Sequence, residues 1–218
     1  MVIHMEEFFS VDGPVYGFFN KLGGIIAASA MWLIGCIPIF TIGTSTTALY
    51  YATVKSVRKE TGYIAKEFWH SYKMNLKKGS LSTFIMLAFS LVYGLELYLL
   101  HHNQLQVTAI WELASKLLLL FLVLIFAYLF PVMSRFDMPL SKMWTLAFVM
   151  SIRYFYITII LLVGLVAVVY AQIFILPIPM VLITPGLWCY LSSFLVEKAL
   201  RGYMPKCEEE AAEQWYYR

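Results

Sequence analysis

Long charge-free runs alternate along the chain with short stretches where lysines, arginines and acidic residues crowd together. No charge falls between Lys21 and Lys55. Leu81 to Leu95 is also clear, with Glu96 placed before Leu97–Leu100, and Leu117 to Ser134 is a third such run. The last, Tyr154 to Val196, is 43 residues long and is interrupted by Pro177-Ile178-Pro179. A helix needs about 20 apolar residues to cross a bilayer, and proline ends helices and disfavours helix in the residue before it. The final run therefore reads as two spans joined by a tight turn. The pattern predicts an all-α integral membrane protein, a single membrane domain over 1–218. Its five or so transmembrane helices lie near 22–42, 81–100, 114–134, 154–176 and 179–199.

Between the runs the apolar positions keep a helical period. Ile64, Phe68, Tyr72 and Leu76 form one stripe, and Lys66, His70, Lys73 and Lys77 form another. That is a basic amphipathic helix over 63–78, suited to an anionic leaflet or to the protein's own inner surface. Leu140, Trp144, Phe148 and Ile152 predict a second cytoplasmic interfacial helix over 139–153, opening at Pro139, a good first-turn residue. The first charge-free run, 33 residues, would be about 50 Å long as one helix, more than a bilayer needs. Pro38 and Thr41-Ile42-Gly43 break it. A helix near 44–59 then leaves the bilayer along or through the cytoplasmic interface, or else returns as a short span.

Composition agrees, with 61% apolar and 13% charged residues against about 45–50% and about 25% in ordinary soluble domains. Counted through the connections, Lys and Arg number 1, 7, 1, 3, 0 and 4, so fourteen of sixteen fall on one side. Positive charge stays inside, which predicts an outside N-terminus and a cytoplasmic C-terminus. The opening Met1-Val-Ile-His-Met-Glu-Glu is acidic where an export signal is basic, so the first run is expected to remain in the mature protein.

Candidate chemistry is sparse. Glu96, Glu112, Arg153 and Glu197 fall near predicted span ends, where they could reach water, and no charge sits at a span midpoint. His101 and His102 lack a third ligand at metal spacing, and the three cysteines have no regular spacing. No catalytic triad, phosphate loop or carboxylate pair occurs, so neither enzyme, metal nor cofactor is expected. The best candidate for ligand binding is the break at Thr41, Thr44, Ser45 and Thr46, where a restarting helix exposes amides and hydroxyls to a sugar or headgroup. The competing reading is that Thr44 or Ser45 caps the helix. Asn20 and Asn75 flank the break in sequence and either bind ligand or tie helices together. Gly23 with Ala27, and Gly24 with Ala28, prepare a close helix contact.

Several segments resemble one family. They are Gly13-Pro14-Val15-Tyr16-Gly17-Phe18-Phe19-Asn20-Lys21-Leu22-Gly23, then Leu33-Ile34-Gly35-Cys36-Ile37-Pro38-Ile39-Phe40-Thr41-Ile42-Gly43, then Thr46-Thr47-Ala48-Leu49-Tyr50-Tyr51 and Phe68-Trp69-His70-Ser71-Tyr72-Lys73-Met74-Asn75. Together they resemble the YesL-like bacterial integral membrane proteins, whose pattern maps onto Asn20, Pro38, Thr41, Gly43, Thr46, Ala48, Phe68 and Asn75. The resemblance implies a bacterial cytoplasmic-membrane protein found beside carbohydrate importers and glycan-degrading enzymes, with no agreed activity.

From it follows the expectation of a non-enzymatic accessory or regulatory partner of an ABC-type sugar importer. The alternative is a small oligomeric transporter or channel for a polar solute, which would need a polar pore lining. Expected partners are the lipid bilayer, a permease subunit and further copies of the chain, not nucleic acid. Phe68, Trp69, Lys66, Lys73 and Lys77 are the expected partner or lipid interface.

Overall fold

A computed structural model describes residues 14–101, 109–174 and 182–203. The Pro177-Ile178-Pro179 turn, His102 and Cys207 lie outside the described residues. Regular structure among the described residues is all helical: α1 (Pro14–Gly35), α2 (Ile42–Ala52), α3 (Ile64–His101), α4 (Ala109–Arg135), α5 (Leu140–Arg153), α6 (Phe155–Phe174) and α7 (Thr184–Arg201). A 3-10 turn, Ile39–Thr41, leads into α2, and a π-helical turn, Thr53–Arg58, ends it.

Three helices are long and apolar enough to cross a membrane, over Ile64–Leu100, Ile110–Arg135 and Phe155–Phe174, and α1 adds a shorter apolar stretch, Phe19–Gly35. Helix α7 falls short of that measure because its last turns carry Glu197, Lys198 and Arg201. The number five is therefore not reproduced by length and composition alone.

The architecture departs from the expected layout in two places. The amphipathic segment and the span after it are not two elements but one 38-residue helix, α3, about 57 Å long. Nothing between Leu76 and Leu81 breaks a helix except Gly79, and a single glycine is tolerated at about 1 kcal/mol. Second, α2 is not an exposed surface helix. Gly43, Thr44, Ser45 and every residue from Thr47 to Lys55 are buried, and α1, α3, α4 and α7 all pack on it. It is the axis of the core.

The core forms around that axis: Ala48, Leu49 and Val54 meet Phe68 of α3, Tyr128, Leu129 and Val132 of α4, and Val196 and Leu200 of α7. Small residues set the closest approaches. A Cβ on Gly79 would come within 2.7–2.8 Å of the Thr44 backbone, and one on Gly186 within 2.7 Å of the Ile25 carbonyl. On α1 the inward pair is Gly24 with Ala28, whereas Gly23 faces open space. Helix α5 turns Met143, Ala147 and Met150 inward, leaving Phe148 and Ile152 exposed. Its core face is thus rotated from the stripe that includes those two residues.

Candidate functional site

The hydroxyl-rich restart expected around Thr41–Thr46 begins earlier than a cap at Thr44 or Ser45 would place it. The α-helix starts at Ile42, and its N-cap residue, Thr41, makes no side-chain capping bond. Instead Thr41 Oγ1 lies 2.8 Å from the Gly35 carbonyl and 2.6 Å from that of Pro38, holding the turn closed. The exposed amide at the helix start is met from another element: Gly43 N donates to Thr83 Oγ1 at 2.8 Å, and Thr83 in turn donates to the Gly79 carbonyl at 2.9 Å. A capping role that a local side chain usually fills is supplied here from 40 residues away.

The threonine hydroxyls are engaged as well, whereas Ser45 Oγ is buried without a hydrogen-bond partner among the described residues. Thr44 Oγ1 lies 3.4 Å from both the Leu76 carbonyl and Ser80 Oγ. Thr46 Oγ1 donates to the Ile42 carbonyl at 2.8 Å and accepts Trp32 Nε1–H at 3.2 Å. Thr47 donates to the Gly43 carbonyl, and Ser45 turns its hydroxyl toward Gly35 and the Cys36 thiol. At the α1–α7 crossing Ser29 Oγ donates to the Ile25 carbonyl and accepts Gly186 N, both at 2.9 Å. Asn75 Nδ2 donates to the Ser71 carbonyl of its own helix at 3.1 Å. Asn20 is exposed near the start of α1, where its neighbour Lys21 pairs with Glu60 at 2.9 Å. Gly24, one turn after Asn20 on α1, faces Ile64, which lies eleven residues before Asn75 on α3.

Two buried ion pairs are the feature that sequence reasoning missed. Arg135 of α4 pairs with Glu197 of α7, their side chains 6% and 5% exposed, and Tyr50 OH donates to Glu197 Oε1 at 3.3 Å. Glu197 was expected near water; the crossing of α2, α4 and α7 encloses it. Lys55 Nζ pairs with Glu67 Oε2 at 2.9 Å, the side chains 6% and 11% exposed, and donates to Tyr51 OH at 3.2 Å. Burial pulls the Lys55 pKa down, yet its bonds to Glu67 and Tyr51 outweigh that and hold it above the ordinary value. Each charge is compensated inside, as burial demands. The available signal was an acidic residue directly after an apolar run, Glu197 following Phe194-Leu195-Val196.

Of the expected interface residues, Lys66, Lys73 and Lys77 are exposed and Trp69 is partly so. Phe68 is not: it is wholly buried, against Trp69 and Tyr72. It belongs to the core, because the α1–α2 hairpin covers that face of α3.

Beside this polar lacing lies a cavity of about 580 Å³ lined by α3, α4, α6 and α7 and by Trp32, Thr46, Leu49 and Tyr50. Its walls are apolar, with Phe126, Ala127, Leu161, Leu165 and Trp188 among them. No group of three or more His, Cys, Asp or Glu side chains among the described residues could hold a metal.

Residues 25–97 match a family described as a protein of unknown function, DUF624. The match covers about a third of the chain. It runs from the inner part of α1 through α2 to near the end of α3, the segment that the Gly43–Thr83 and Thr44–Gly79 contacts bind together. No curated protein and no solved structure matches the chain.

Proposed function

We propose that this protein is a non-enzymatic, multi-pass subunit of the bacterial cytoplasmic membrane that accompanies carbohydrate uptake as partner or regulator of an ABC-type importer. The resemblance to YesL-like proteins supplies the carbohydrate context, and the match to a family of unknown function is consistent with the resemblance only. The observation that carries the choice over a stand-alone polar-solute transporter is the chemistry of the interior. The threonine hydroxyls at the helix break engage protein groups, the buried charges are paired, and the large cavity is walled mainly by apolar side chains. A sugar passing through would lose water without finding replacement hydrogen bonds.

Outward-facing charge gathers where a partner or an anionic leaflet could use it, on the face of α3 bearing Lys66, His70, Lys73 and Lys77. Charge asymmetry supports a cytoplasmic position for that face.

Purification in mild detergent tests the reading. A sugar-importer permease is expected to co-purify, and Trp69→Ala with Lys73→Glu is expected to weaken its retention while leaving the fold intact. Monodisperse protein without a permease, together with solute flux in reconstituted vesicles, would reject it in favour of an oligomeric transporter.

A further inference from the structure

The first charge-free run doubles back on itself. On α1 Gly24 faces Val57, and Gly35, eleven residues further on, faces Ser45, twelve residues earlier in the chain than Val57. The two helices are therefore antiparallel. Their charged flanks meet at one end, where Lys21 pairs with Glu60 at 2.9 Å and the π-helical turn carries Lys55 and Arg58. Neither leg is long enough to cross a bilayer. From Leu22 to Gly35 α1 gives about 21 Å of helix and α2 gives about 17 Å, against about 30 Å of hydrocarbon.

We propose that α1 and α2 form a hairpin that dips into the bilayer from the side of the basic α2–α3 connection and returns to that side. The residues before α1 then share a side with Lys55–Lys78, in place of the outside N-terminus that five spans predict. The tip is the part that enters. It meets α3 at Gly79 and Thr83, just where the charge-free run Leu81–Leu95 begins. It presents Ile34, Ile37, Ile39 and Phe40 outward, Ile37 at 77% exposure. An exposed apolar cluster of this kind, level with the start of a charge-free span, marks a membrane contact. Irregular backbone survives at that depth only where protein satisfies it. Thr41 Oγ1 donates to the Gly35 and Pro38 carbonyls and Thr83 Oγ1 accepts Gly43 N, which gives the hydroxyls of the break their role. Charge agrees. With both ends of the hairpin on one side, α3, α4, α6 and α7 are the crossings, and the C-terminal tail returns to that same side. Fifteen of the sixteen Lys and Arg then lie inside and Lys116 outside, a sharper asymmetry than five spans give.

The experiment uses the full chain carrying Cys36→Ala and Cys207→Ser, with Cys189 left in place because it is buried. Single reporters are then added: Asn20→Cys at the exposed start of α1, Ile37→Cys at the tip and Gln104→Cys between α3 and α4. In cells, an impermeant thiol reagent is expected to label Gln104→Cys from outside, and Asn20→Cys only after the inner face is opened. The purified variants are next spin-labelled in phosphatidylglycerol–phosphatidylcholine vesicles and exposed to oxygen, which partitions into hydrocarbon, or to a polar nickel chelate, which stays in water. The Ile37→Cys label is expected to relax mainly with oxygen and the Asn20→Cys label mainly with the nickel chelate. Unchanged elution in gel filtration and outside labelling of Gln104→Cys show that the variants are folded and inserted. Labelling of Asn20→Cys in intact cells would overturn the proposal in favour of a first span. Equal nickel access at Ile37→Cys and Asn20→Cys would overturn it too, because the whole hairpin would then stand in water. A permease that is lost or retained bears on the partner reading alone.

Discussion

At the scale of single residues, Arg135 and Glu197 show how a charge is kept inside a chain that is 61% apolar. Each is costly alone and tolerable together, so removing one should hurt more than removing both. Glu197→Gln or Arg135→Met is expected to destabilise by about 3–5 kcal/mol, and the Arg135→Met, Glu197→Leu double variant to recover much of that loss. Denaturant titration in detergent measures it; equal, additive losses would contradict the coupling. Thr83 makes a complementary case. Thr83→Val keeps the shape and removes the acceptor of Gly43 N, which should cost about 0.5–2 kcal/mol, the range of a lost helix cap. A neutral outcome would mean that another group satisfies the amide.

Between elements, the decisive contact is the crossing of α2 and α3. Gly79 brings the two backbones so close that a methyl group has nowhere to go, since the Thr44 backbone is the obstacle rather than a flexible side-chain end. Gly79→Ala is expected to lower stability by about 1–3 kcal/mol through overpacking, although alanine has the better helix propensity. A stabilising result would show that α2 can shift outward. A weaker tie joins α3 to the connection after α4: Lys78 Nζ donates to Asp137 Oδ1 at 2.6 Å. The Lys78 hydrogen bond and charge hold the Asp137 carboxyl below its ordinary 3.8. A depressed carboxylate stabilises the fold above its unfolded value and loses that contribution as pH falls through the folded value. Asp137→Asn should therefore flatten stability against pH only below about 4. Being exposed, the pair should weaken with added salt at neutral pH.

On the scale of the whole molecule, the apolar helices surround a core whose axis is α2. Sidedness is the expectation that bears most on partners. Cys189 is buried and Cys36 half-buried, which leaves Cys207, in the charged tail outside the described residues, as the reporter. With the C-terminus cytoplasmic, an impermeant thiol reagent should label Cys207 only after the inner face is opened. Labelling in intact cells would invert the arrangement and move the basic face of α3 outside.

Local chemistry explains what was legible beforehand. Long apolar runs must become helices if they enter lipid, because only internal hydrogen bonds satisfy the backbone there; the all-helical character and the long apolar helices were readable from Leu81–Leu100, Leu117–Ser134 and Tyr154 onward. The Lys66, Lys73 and Lys77 stripe was likewise readable as an outward face, since charge without a partner seeks water. Tertiary structure alone decided the rest. Whether α2 skims a surface or fills the core depends on which helices cover it, and that rests on contacts such as Thr44 with Gly79 that no local pattern encodes. Phe68 lay on a stripe that could face lipid or protein, and the α1–α2 hairpin settled it. The cap on Gly43 comes from Thr83, and the partner of Glu197 lies 62 residues away on α4. Hydrophobic period says which residues avoid water, but only packing says what they meet instead.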